Sequence, residues 1–318
     1  MFLLDKIKRY TALAIIGNGF DMAHGYNTDY KSFVEKTSDP NLDLFRSYCE
    51  NEDSITTWYL FEENIKILTE KMFSRAICYD GCNFSGKDKL RTIFKEIHNL
   101  LIQHLKNELL SKPIIKMPNI EKYLNSKTKV INFNYTKIAE EYTKNIFYVH
   151  GSLEENDIIL GYDYRSEPCL FQYEDMCWSK TLCRKSLAFR RFLRRKGDLN
   201  SEKNKRLISS FESYQISENS SKGFDEKSIP EYKSLGKIMK KHRRQYDIPN
   251  INYKRISTII VMGHGIEADQ VFLKNIISKC TNLTEVIIFR YIGEDDISIK
   301  KKMYFFESYC KNIHFEYY

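Results

Sequence analysis

The sequence predicts an α/β fold: a mostly parallel sheet with helices on both faces, helical insertions between its strands, and one domain over residues 1–318. Three observations lead there. Short apolar runs of strand length occur at 13–16 (LAII), 129–133 (KVINF), 257–262 (STIIVM) and 285–290 (EVIIFR), and the first three end on glycine or asparagine. Amphipathic stretches separate them. Finally, strand and helix patterns alternate from residue 257 to the carboxyl end, which is how βαβ units build a parallel sheet.

In chain order, the run at 13–16 breaks into Gly17-Asn18-Gly19 and is followed by a helical pattern that Asp29 continues and Ser38-Asp39-Pro40 interrupts. Trp58, Phe61, Ile65, Leu68 and Met72 then recur at three and four residues, as do Leu90, Ile93, Phe94, Ile97, Leu101, Leu105 and Leu109; each set is one helical face. The glycines in 78–87 predict a loop between these helices, and Lys112-Pro113 ends the second. After the strand at 129–133, Asn134-Tyr135-Thr136 leads into a helix reaching about Lys144. Short strands are expected at 147–149, ending on His150-Gly151, and at 158–160, as further members of the sheet. The segment 178–196 is a basic helix whose charged residues read as a solvated face, with a phosphate-contacting face as the alternative. A loop poor in apolar residues follows at 197–228, then a basic helix from Pro230. A helix after Gly263-His264-Gly265, a helix at about 298–309 and a strand at 313–317 complete the chain. The helical insertions are therefore 37–127 and 166–253.

Composition narrows the function classes. With 50 Lys plus Arg against 42 Asp plus Glu, the formal charge of +8 favours anionic partners without requiring nucleic acid. The first residues lack the apolar core of a signal peptide, and no run approaches the ~20 apolar residues of a membrane span. A cytoplasmic protein without a membrane partner is expected. Eight cysteines without a CxxC pair read as small buried hydrophobes, and no metal is expected; His98 and His104 read as surface or satisfied residues.

The turn after the first strand carries the chemistry. A strand delivering Gly17-Asn18-Gly19 to a helix start can bring backbone N–H groups close to an anion, because glycine has no Cβ to hold a ligand away. The sequence has Met22 where the dinucleotide fingerprint has its third glycine, and it has no P-loop Gly-Lys-Ser/Thr. Geometry alone could also call for those glycines. On the ligand reading, Gly17, Asn18, Gly19, Phe20 and Asp21 meet a nucleotide phosphate, and Asp21 and His24 either face the ligand or brace the turn, bracing being favoured for His24. Ligands of open α/β sheets lie at the carboxyl ends of strands, so the tips at 17–20, 132–136 and 263–265 and His150 are expected to converge.

GNGFDMAHGYNTDYKSF, INFNYTKIAE, YVHGS with IILGYD, and VMGHGIEADQVFL occur in the order seen in the AbiH family of phage abortive-infection proteins, which the chain resembles over nearly its whole length. AbiH-like sequences commonly carry Gly-His-Ser where this chain has Gly263-His264-Gly265. The chain is also similar, more distantly, to sirtuin-like domains of NAD-consuming defence proteins. Gly17, Gly19 and Gly25 match their glycine turn, Asn134 their asparagine, His150-Gly151 their His-Gly pair and Gly263 their last turn. The cysteine zinc module of deacetylating sirtuins is missing, and so are the small residues of their turn, where this chain has Asn18-Gly19-Phe20-Asp21. This likeness implies a Rossmann-like fold that takes NAD as substrate or ligand and not as a redox cofactor. It places Asn134 and His150 at the nicotinamide ribose as catalytic residues, with Gly151, Gly263 and His264 beside the nucleotide. An imidazole of ordinary pKa, ~6.5, can accept a proton at cellular pH. The expected function is an anti-phage effector, an NAD glycohydrolase-type toxin. A toxin or nuclease acting on nucleic acid and a nucleotide sensor without chemistry are the competing classes. The phage trigger and any homo-oligomer are left open by the sequence.

Overall fold

The computed structural model of the protein describes residues 10–43, 85–155, 157–160, 205, 207–208, 248–291 and 294–318. Its centre is a six-stranded, wholly parallel sheet. The strands are β1 (Ala12–Ile16), β2 (Thr128–Asn132), β3 (Ile146–Tyr148), β6 (Thr258–Met262), β7 (Glu285–Arg290) and β8 (Ile313–Tyr317). Their spatial order is β3-β2-β1-β6-β7-β8. This is the doubly wound, Rossmann-like arrangement, with the order reversing between β1 and β6. Ile15 lies opposite Ile131 on one side and Val261 on the other.

The central strands are buried on both faces, as parallel strands are, and their side chains alternate between two cores. Leu13, Ile15, Ile131, Ile259, Val261 and Ile288 join one apolar cluster. On that face lie Phe272, Leu273, Ile276 and Ile277 of α5 (Gln270–Ile277) and Phe305 and Phe306 of α6 (Asp296–Glu307). Ala14, Ile16, Val130, Ile260, Met262 and Phe289 join the other, with Phe20 of α1 (Asn18–Ala23) and Ile120 of α4 (Pro118–Glu121). A third cluster joins α2 (Tyr30–Lys36) and α3 (Ser85–Leu110) through Phe33, Val34, Ile97, Leu101 and Leu105 to Leu153, Ile158 and Leu160. The side chain of Asp29 caps α2 by accepting from the Ser32 N–H at 2.9 Å.

Three expectations change. The run at 158–160 does not enter the main sheet: β4 (Gly151–Ser152) pairs antiparallel with β5 (Asp157–Ile158) in a separate ribbon. Gly151, at φ 82°, turns the chain directly after His150, so the following strand returns against it. Second, the helix expected after Thr136 contracts to a 3-10 turn, Ile138–Glu141, closed by the Glu140 N–H on the Lys137 carbonyl. Third, α3 begins at Ser85, so Gly86 and Lys87, expected in a loop, are helical. His98 and His104 are satisfied, with their Nε2 atoms on the Ile158 and Asn27 carbonyls at 3.2 and 2.8 Å. Among the described residues, 37–127 contribute helices and no strand, and no helix is long and apolar enough to cross a membrane. The helix at 58–72, the basic helix at 178–196 and the helix from Pro230 lie outside the described residues, as does the loop expected at 197–228 except for 205 and 207–208, which are helical.

Candidate active site

Because β1 and β6 are neighbours at the point where the strand order reverses, the turns that leave them lie side by side. They are bonded to each other. The Gly17 N–H donates to the Met262 carbonyl at 2.9 Å and the Gly19 N–H to the Gly263 carbonyl at 2.9 Å. The Phe20 N–H closes back on the Gly17 carbonyl at 3.0 Å. This approach excludes side chains: a Cβ on Gly17 would stand 2.6 Å from the Gly263 oxygen, and one on Gly263 would stand 2.1 Å from the Phe20 nitrogen. Gly263 also sits at φ 65°, where glycine is strongly favoured. Among the described residues, no acceptor pairs with the remaining N–H of this turn, that of Asn18.

A buried carboxylate holds the first turn to the end of β2. Asp21 is 1% exposed, and it accepts from Asn134 Nδ2 at 2.8 Å and Thr136 Oγ1 at 2.6 Å. Asn134 Nδ2 also donates to the Gly17 carbonyl at 2.9 Å, and the Asn134 N–H to Asn132 Oδ1 at 2.9 Å. Both amide hydrogens of Asn134 therefore brace the glycine turn. Burial pushes the Asp21 carboxyl up to about 7, against the lowering effect of its bonds from Thr136, Asn134 and Thr28. His24 braces the same turn from below the sheet end. Its Nδ1 can only donate to the Phe20 carbonyl, 2.7 Å away, so in the neutral ring its Nε2 accepts from the Tyr142 hydroxyl at 2.6 Å. That hydroxyl in turn accepts from the Met117 N–H at 2.7 Å. Burial lowers the His24 pKa, in keeping with the neutral form. Phe20 stacks on His24 at 4.5 Å within the apolar cluster of that face.

On the other side of the strand tips, two histidines share one acid. His150, just past β3, places Nε2 3.1 Å from Asp269 Oδ1; His264, just past β6, places Nε2 3.5 Å from Asp269 Oδ2. All three are at most 5% exposed. The Phe133 ring covers the group, with its centroid 4.2 Å from that of His264 and 5.5 Å from that of His150. His264 Nδ1 accepts from the Ile266 N–H at 2.9 Å. Ile266 adopts φ 62° and ψ −49°, and the Glu267 N–H bonds the Gly265 carbonyl at 2.7 Å across it. That is a γ-turn centred on a β-branched residue, a strained conformation of the kind that concentrates at functional sites.

The residues singled out from the sequence thus meet at one end of the sheet, in two groups. Gly17, Gly19, Asp21, Asn134 and Gly263 form a braced double turn, with Phe20 and His24 packed behind it. His150 and His264 form a separate buried pair around Asp269, and Gly151 redirects the chain after His150. Asp269 escaped the sequence reading: it is one acid at the start of a helix, 119 residues from His150, and only the crossover from β3 to β6 joins them. A carboxylate between two buried imidazoles can accept a hydrogen bond from each, fix their tautomers and stabilise an imidazolium.

A family model described as bacteriophage abortive infection AbiH matches residues 13–291, a span that includes every residue of both groups. No curated protein and no solved structure matches the chain.

Proposed function

Since the chain belongs to the AbiH family of bacteriophage abortive-infection proteins, we propose that it acts in that response as an enzyme that hydrolyses NAD at the nicotinamide N-glycosidic bond. The observation that carries this reading is the buried His150–Asp269 pair at the carboxyl end of a parallel sheet, next to the point where the strand order reverses. Dinucleotides bind in that crevice in sheets of this order. The resemblance of the glycine turn, Asn134 and His150-Gly151 to sirtuin-like domains of NAD-consuming proteins selects NAD among dinucleotides.

In the reaction, water adds to the anomeric carbon of the nicotinamide ribose as the C–N bond breaks. The bonding pair goes to the ring nitrogen and cancels its positive charge. Water's proton goes to His150, and the products are nicotinamide, ADP-ribose and that proton. His150 serves as general base. Asn134, whose amide hydrogens face Gly17 and Asp21, has its Oδ1 to offer a ribose hydroxyl or the water. The Asn18 N–H is the turn's donor for a phosphate oxygen, since those of Gly17, Gly19 and Phe20 bond protein carbonyls.

Purified full-length protein given NAD should release free nicotinamide, and His150→Ala should lower that rate by more than ~100-fold while the protein stays folded. A wild type that binds NAD and returns it intact would make the protein a sensor. An equal rate from His150→Ala would remove the histidine from the chemistry.

A further inference from the structure

Building on His150 as the base, we infer that Asp269 is the positioning residue of this site: it fixes His150 as the Nε2–H tautomer, as the Ile266 N–H does His264, and ties the base to the strained turn after β6. The hydrogen bonds dictate the proton positions. His264 Nδ1 accepts from the Ile266 N–H, so in the neutral ring the His264 proton is on Nε2, facing Asp269 Oδ2 at 3.5 Å. The other carboxylate oxygen lies 3.1 Å from His150 Nε2, and a carboxylate only accepts, so this nitrogen also carries its proton. The neutral His150 ring then holds its lone pair on Nδ1, which becomes the atom that takes a proton.

Asp269 is itself held from the same turn. Its own N–H donates to the Ile266 carbonyl at 3.2 Å, while Ile266 donates its N–H to His264. These two hydrogen bonds and the 3.5 Å approach of His264 Nε2 to Asp269 Oδ2 link His264, Ile266 and Asp269 in a ring around the turn that holds Ile266 at φ 62°. The same segment begins at Gly263, whose carbonyl accepts from the Gly19 N–H. One rigid unit thus joins the glycine turn expected beside the nucleotide to the carboxylate that orients the base. Burial of all three side chains under Phe133 strengthens these bonds by lowering the local dielectric.

The test reads tautomers directly. Wild-type protein labelled with nitrogen-15 in its seven histidines would be examined by NMR at alkaline pH, where free imidazole is neutral, with His150→Gln and His264→Gln supplying assignments. In the wild type both rings should show a protonated Nε2 and an unprotonated Nδ1. In Asp269→Ala the His150 nitrogens should move to averaged shifts, and kcat for nicotinamide release should fall by about 100-fold with KM little changed. Averaged His150 nitrogens in the wild type would overturn the inference whatever the variant does, as would a His150 tautomer or a kcat unaltered by Asp269→Ala in folded protein. Fixed tautomers in a protein that releases no nicotinamide would instead count against NAD hydrolysis and leave Asp269 as the positioning residue for another reaction.

Discussion

Asp21 and Asp269 show how differently two buried acids can be used a few residues from the same sheet end. Asp269 faces imidazoles; Asp21 faces only neutral donors, so burial raises its pKa to about 7. Thr28 Oγ1 shares its one hydrogen between Asn18 Oδ1 at 2.7 Å and Asp21 Oδ2 at 3.4 Å, so it is the weakest of the three donors to the carboxylate. A raised folded-state pKa means that Asp21 contributes stability fully below its ordinary value of 3.8 and loses that contribution as pH rises to about 7. Comparing thermal stability of the wild type with Asp21→Asn across pH isolates the effect. Whatever the offset between them, the difference should shift in favour of the variant between 3.8 and about 7 and stay level outside that window. A difference that is level throughout would show that Asp21 does not titrate there. At this scale the sequence named Asp21 and His24 from their place in the glycine turn, and bracing accounts for both. It could not name Asp269, because an acid opening a helix looks like any favourable N-terminal charge until the fold sets a histidine against it.

The two turns after β1 and β6 form one structural element made from distant segments, and glycine is required where they touch. A Cβ at Gly19 would lie 2.8 Å from Gly263 Cα, so a bulky residue there disturbs the turn contact before any ligand is involved. Gly263→Ala meets both a forbidden approach to Phe20 and a left-handed φ, and should cost at least ~3 kcal/mol. Gly265→Ala should stay within about 0.5 kcal/mol, since a Cβ there has no atom within 4 Å. Denaturant unfolding of the two variants checks the contrast, and equal losses would refute the contact. The open space at Gly265 also means that a serine, which AbiH-like sequences commonly have at this position, would fit without displacing a neighbour. Among the strands, β7 and β8 have the boundaries expected from their apolar runs, because long β-branched and aromatic stretches leave little ambiguity. The elements misread are short. A two-residue strand and a single 3-10 turn are set by the Gly151 turn and by Thr136 reaching inward to Asp21, neither of which has a periodic signature.

At the scale of the whole molecule, a chain whose glycine- and asparagine-ended runs are spread from residue 17 to residue 265 brings them to one crevice through a single rule. Parallel strands all present their carboxyl ends on the same side, and the order β3-β2-β1-β6-β7-β8 sets the tips of β1 and β6 next to each other. That convergence was legible from the strand patterns alone; the order of strands, and with it the meeting of His150 with Asp269, was not, since apolar runs do not state which neighbours they choose. The central claim is that this crevice is a nucleotide site served by His150. Crystals of the His150→Ala protein soaked with NAD test it most directly. Density for the dinucleotide is expected across the tips of β1 and β6, with a phosphate at the Asn18 N–H and the nicotinamide ribose beside residue 150. A nucleotide bound elsewhere on the chain, or a crevice that stays empty at saturating NAD, would contradict it.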